Sequence, residues 1–187
     1  HSDFLHDQIG YRPVVLTSFA IEQEFFPLNP KVGHFMNVAY FSILCLVILL
    51  FLTEVIPCKW RFEALLVTLL FLVHPIHVEV VANIKSRDEI FQLTFSLLSI
   101  LFYWKWFEAR KWWFLVGAIL SFIVAILSRE NAIVTVGLIP LTVLFFGNDP
   151  LKNGIKRLLP IVGLAAVGFL IIYLSLGSNV VKTETVG

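Results

Sequence analysis

The chain has 187 residues, 58% of them hydrophobic and only 14% charged, with a formal net charge of +1 and a mean hydropathy of +0.88. Soluble domains carry about 25% charged residues, and a soluble globule this apolar would expose large aggregating patches. Composition therefore excludes an ordinary soluble domain, gives no basis for nucleic-acid binding, and points to an all-α polytopic membrane helix bundle.

Residues 1–35 read as an outer loop carrying an amphipathic helix. They hold no initiator Met, basic start or apolar signal core, so the chain reads as an internal fragment of a longer protein. Pro13 can open a helix. Val14, Val15, Leu16, Phe19, Ile21, Phe25 and Phe26 interleave with Glu22 and Glu24, which suits a helix on the membrane surface and equally an ordinary loop tucked over the bundle. Pro27-Leu28-Asn29-Pro30 closes it.

A spanning helix needs about 20 mostly apolar residues. Six stretches come near: 36–56, 64–82, 90–107, 112–128, 132–147 and 161–178. The second contains His74, Pro75, His77 and Glu79. The fourth and fifth form one apolar run interrupted by Ser128-Arg129-Glu130-Asn131, where the cost of charge at the bilayer centre predicts a hairpin turn. Cys45 and Cys58 would lie about 20 Å apart along a helix, beyond disulfide reach.

Six spans fix a parity. The segment before Met36, the turn at 83–89, the turn at Arg129-Glu130 and the C-terminal tail share one side. The other side, with the remaining three turns, carries Lys59, Arg61, Lys105, Arg110, Lys111, Lys152, Lys156 and Arg157, eight basic residues against six. The positive-inside rule makes that second side cytoplasmic.

Parity gathers three polar clusters at the outer face: Tyr11-Arg12-Pro13; His74-Pro75-Ile76-His77-Val78-Glu79 followed by Lys85-Ser86-Arg87-Asp88-Glu89; and Ser128-Arg129-Glu130-Asn131. Arg87 and Arg129 are the best phosphate candidates, because guanidinium meets phosphate bidentately and stays charged. The structural alternative is a set of turn salt bridges with Asp88, Glu89 and Glu130. His74 and His77 share a helix face at i, i+3 and suit hydrogen bonding to phosphate or packing beside Pro75. No third ligand joins them, and neither a metal nor another cofactor is expected.

The combination resembles the transmembrane-and-tetratricopeptide-repeat O-mannosyltransferases. Tyr11-Arg12-Pro13-Val14 leading to Ser18-Phe19, then Asn37, resembles their first outer loop. His74-Pro75-Ile76-His77 with Glu79 resembles their most recognisable motif. Ser86-Arg87-Asp88-Glu89 falls where they have a Gly/Ser-Arg pair, and Ser128-Arg129-Glu130-Asn131 resembles their Lys-Glu turn. The resemblance implies a GT-C glycosyltransferase that passes a sugar, usually mannose, from a polyprenyl-phosphate donor to a protein or glycan acceptor on the extracytoplasmic side. It implies donor-phosphate contacts from Arg87, Arg129, His74 and His77, supported by Tyr11, Arg12, Glu79, Asp88 and Glu130. The catalytic acid is expected upstream of residue 1, with Asp3 the candidate inside the chain. A bacterial inner membrane is favoured over an endoplasmic reticulum. The competing readings are a non-catalytic anchor for a repeat domain and a transporter; a transporter would place polar groups at the bilayer midplane, whereas here they lie at the span ends.

Overall fold

The computed structural model describes residues 12–27, 29–147, 160, 162–171 and 173. All the regular structure among them is helical. Helix α1 is Pro13–Phe25, α2 Pro30–Val55, α3 Arg61–Val73, α4 Ile76–Ala82, α5 Arg87–Ala109, α6 Trp112–Ser128, α7 Thr135–Phe146 and α8 Val162–Ile171. The chain is an all-α membrane protein segment.

Local chemistry sets the breaks. Asn29 caps α2 by accepting from the Lys31 amide at 3.2 Å, and Pro30 occupies the first helical position, where its missing N–H costs nothing. The expected second span is two helices bent by 63°. His74 precedes a proline and is held extended, and Pro75 has no N–H to offer the ladder. The continuous apolar run is cut at Arg129, whose backbone is extended; a 3-10 turn, Glu130–Val134, follows before α7. After that cut α7 packs on α5, rather than retracing α6 as a simple hairpin would. Arg110 ends α5 in the left-handed region, at φ 58°, and reverses the chain into α6.

The sequence leads to an expectation of six spans. By length and composition two helical stretches can cross a bilayer, Pro30–Val55 and Ile84–Ala109, each 26 residues, and the bent α3–α4 pair makes a third. The remaining apolar helices are shorter. The turn expected at 148–157 and the end of the sixth span lie outside the described residues.

Helix α5 is the centre of the bundle, packed between α2 on one side and α6 and α7 on the other. Ile100, Tyr103 and Phe107 of α5 meet Phe122 and Ile126 of α6, Ile139 of α7 and Leu164 of α8. A second core joins Phe41, Leu44 and Ile48 of α2 to Ile90. Close helix approach uses the devices of membrane bundles: Gly117 meets the Phe102 ring, where a Cβ would lie 3.2 Å away, and buried Ser99 donates to the Ala118 carbonyl at 2.9 Å. Large apolar side chains such as Leu46, Leu70, Phe145 and Phe169 point outward, as a lipid-facing surface requires.

Candidate functional site at the N-terminal end of helix α5

The start of α5 places two side chains in opposite directions. Arg87 is fully buried. Its Nε donates to Asn37 Oδ1 at 2.9 Å, and its Nη1 donates to Ser18 Oγ at 3.1 Å and Glu22 Oε1 at 2.6 Å. Its Nη2 donates to Glu22 Oε2 at 3.2 Å and the Gly33 carbonyl at 3.4 Å. The Phe19 ring covers the guanidinium, 4.3 Å from its carbon. All five N–H groups are thus committed. In this geometry Arg87 ties α1 and α2 to α5, and the phosphate contact expected of it would have to replace one of these bonds.

Asn37, also fully buried, completes the junction. Its Nδ2 donates to Asn83 O at 3.3 Å and Val81 O at 3.5 Å, which fixes the end of α4. Glu22 is the partner that sequence reasoning missed. Ser18 and Glu22 are four residues apart and so share one face of α1; that pairing is the signal the sequence offers.

Asp88 turns the other way and is also buried. Arg12 Nη1 donates to its Oδ2 at 2.5 Å, and Arg129 Nη1 stands 3.6 Å from the same oxygen. Arg129 Nη1 also donates to Glu89 Oε1. Asp88 and Glu89 lie in the first turn of α5, where the helix dipole favours negative charge. The Glu89 hydrogen bond, helped by the charges of Asp88, Glu89 and Glu130, raises the Arg129 pKa above its ordinary value. Three motifs, 40 and 76 residues apart in sequence, therefore meet at the first turn of α5. Arg12 and Arg129 keep 27% and 28% of their side-chain surface exposed, and their Nε and Nη2 groups make no hydrogen bond among the described residues. Glu130 is exposed and unpaired among them.

The histidine motif sits apart from this cluster. His74, His77 and His34 help line a cavity of about 390 Å³ whose other walls are apolar, including Val38, Phe41 and Val81. His77 packs against the Phe71 ring in a tilted arrangement, centroids 4.1 Å apart, and His74 Nδ1 accepts from the Ile76 amide at 3.2 Å. Glu79 is exposed and has no side-chain partner among the described residues. Among the same residues no group of three or more His, Cys, Asp or Glu side chains forms a metal site. Tyr11 and Asp3 lie outside the described residues. At the opposite end of the bundle Glu54 and Lys105 pair at 2.7 Å.

No protein-family model matches the chain, and no solved structure matches it. Among curated proteins it is similar to Protein O-mannosyl-transferase TMTC3 of Mus musculus, 28% identical over 136 residues, 69% of this chain and 14% of that protein. It is 34% identical over 113 residues to Protein O-mannosyl-transferase TMTC2 of Mus musculus, 57% of this chain and 13% of that protein. It is 27% identical over 162 residues to Protein O-mannosyl-transferase F38B6.6 of Caenorhabditis elegans, 86% of this chain and 22% of that protein. The chain thus spans less than a quarter of each of these relatives. All three are animal proteins, which gives the expectation of a bacterial membrane no support.

Proposed function

We propose that the chain belongs with these O-mannosyl-transferase relatives and forms the donor-phosphate region of a membrane glycosyltransferase. The reaction is transfer of a sugar, mannose by analogy with the relatives' names, from a polyprenyl-phosphate donor to a protein acceptor. The GT-C class and an extracytoplasmic site are part of this reading. The meeting of Arg12, Asp88, Glu89 and Arg129 at one helix terminus carries it.

The chemistry follows from charge. An acceptor hydroxyl attacks the sugar's anomeric carbon, and the bond from that carbon to the phosphate oxygen breaks. The phosphate leaves with the electron pair. Partly exposed guanidiniums with free N–H groups stabilise that developing charge without reorganising. Arg129 and Arg12 are those groups. Arg87 is a positioning residue: by fixing α1 and α2 it sets where Arg12 and Asp88 stand. The apolar cavity beside His74 and His77, apart from these arginines, suits a more distant length of hydrocarbon chain. The hydroxyl proton is left to an acidic residue outside the described ones.

The test is Arg129→Ala in the full-length protein, assayed with polyprenyl-phosphate mannose. On the scale of an oxyanion-hole donor, a charge-assisted contact to the leaving group contributes about 2.7–4 kcal/mol, roughly a 10²- to 10³-fold loss of kcat. Undiminished transfer with normal membrane insertion refutes the assignment.

A further inference from the structure

The outer cluster has a feature its proposed role does not explain. Arg12 and Arg129 are balanced by Asp88 and Glu89, so the four side chains carry no net charge. A phosphate arriving there must compete with the carboxylates already paired to these cations.

The two carboxylates are not equivalent. Asp88 is 4% exposed and faces both arginines. Glu89 is 44% exposed and pairs only with Arg129. Removing Asp88 would leave two guanidiniums facing each other with no counter-charge between them. Releasing Glu89 costs far less, because its carboxylate can hydrate where it stands and exposed ion pairs contribute only about 0.2–1 kcal/mol.

We infer that Glu89 is an exchangeable counter-ion, a built-in occupant of the anion site that phosphate displaces from Arg129 while Asp88 keeps both arginines in place. The inference rests on the reading of Arg129 as a phosphate group. The exchange is an ion-pair swap, with no covalent step. In the resting protein Glu89 holds the Arg129 guanidinium in the orientation phosphate will need, and prevents other anions from occupying it cheaply. With phosphate bound, Arg129 keeps Asp88 and, without turning, presents to the ligand the N–H that Glu89 vacates together with its free N–H groups, giving a site with one buried carboxylate and two cations. Glu89 thereby sets the affinity threshold of the site. It selects a polyvalent, hydrogen-bond-accepting anion over chloride.

The experiment measures binding of dolichyl phosphate to the full-length protein in phosphatidylcholine nanodiscs, with inorganic phosphate as a separate probe. Glu89→Gln keeps the shape and removes the competing charge. It tightens binding of dolichyl phosphate about two- to fivefold, the scale of a lost exposed ion pair. It lowers the KM for the donor without raising kcat, and it steepens the salt dependence of binding. Glu89→Ser gives the same sign. Glu130→Gln, which removes a neighbouring but unpaired charge, changes affinity less than Glu89→Gln does. Tightening for inorganic phosphate as well as for the lipid shows that the headgroup is the element recognised; tightening for neither overturns the exchange. If Arg129→Ala weakens binding but Glu89→Gln leaves it unchanged or weaker, the exchange is overturned and the reading of Arg129 stands. If Arg129→Ala leaves binding unchanged, both fall.

Discussion

The Arg87–Glu22 pair gives the sharpest test of how the site is held. Glu22→Ala removes two of the five hydrogen bonds of a fully buried guanidinium and its carboxylate counter-charge. Ser18, Asn37 and the Gly33 carbonyl remain, but all three are neutral. Leaving a buried charge without its partner costs about 3–5 kcal/mol. The loss falls on α1 first, because α1 is anchored to α5 through Ser18 and Glu22 and its single buried residue is Val15. Hydrogen–deuterium exchange of the full-length protein in detergent reads that local opening. Amides in 13–25 exchange about hundredfold faster or more in Glu22→Ala, since 1.4 kcal/mol is tenfold, up to the limit set by complete opening of α1. Arg87→Met alone also loosens α1, while the pair Arg87→Met with Glu22→Leu recovers much of the loss, giving a coupling of about 1–3 kcal/mol. Strict additivity, or a change below about threefold in Glu22→Ala, refutes the idea that this ion pair holds α1 in place.

Three further outcomes follow from packing. Ser99→Ala removes one interhelical hydrogen bond between α5 and α6, and bonds of that kind in membrane bundles average about 0.6 kcal/mol. Unfolding in detergent detects a loss near that size; a loss above about 2 kcal/mol contradicts it. Trp104 carries a buried indole N–H with no partner among the described residues, so Trp104→Phe costs less than about 1 kcal/mol despite its lost volume, because an unpaired buried donor itself costs about 1–3 kcal/mol. Phe122→Ala, at a fully buried ring, costs about 3–5 kcal/mol in the same assay. Equal losses for Trp104→Phe and Phe122→Ala overturn this comparison.

Much of the architecture is legible because it depends on local or additive signals. Apolar composition marks the bilayer, and the charges at Arg129-Glu130 mark a break. Arg12, Asp88 and Arg129 meet in the structure, a juxtaposition the sequence offers only through a count of spans. Helix number is harder to read. Hydropathy scores 64–82 as one stretch, but it does not see that a proline-centred bend of 63° divides it. Partners are harder still. A guanidinium in a sequence looks equally available whether it faces solvent or five acceptors, so Arg87 and Arg129 look alike until Glu22, Ser18 and Asn37 are placed around one of them. Glu22 sits among apolar residues of α1, and nothing within its own helix shows that its partner lies 65 residues away.

Partly exposed arginines at the start of α5 are proposed to receive the phosphate of a lipid-linked sugar. The most direct measurement is transfer of labelled mannose from polyprenyl phosphate by the full-length protein, comparing wild type with Arg129→Ala. The expected result is a loss of kcat of about 10²-fold or more, with the protein still inserted and α1 still protected from exchange. Transfer at the wild-type rate in a folded Arg129→Ala protein would contradict it.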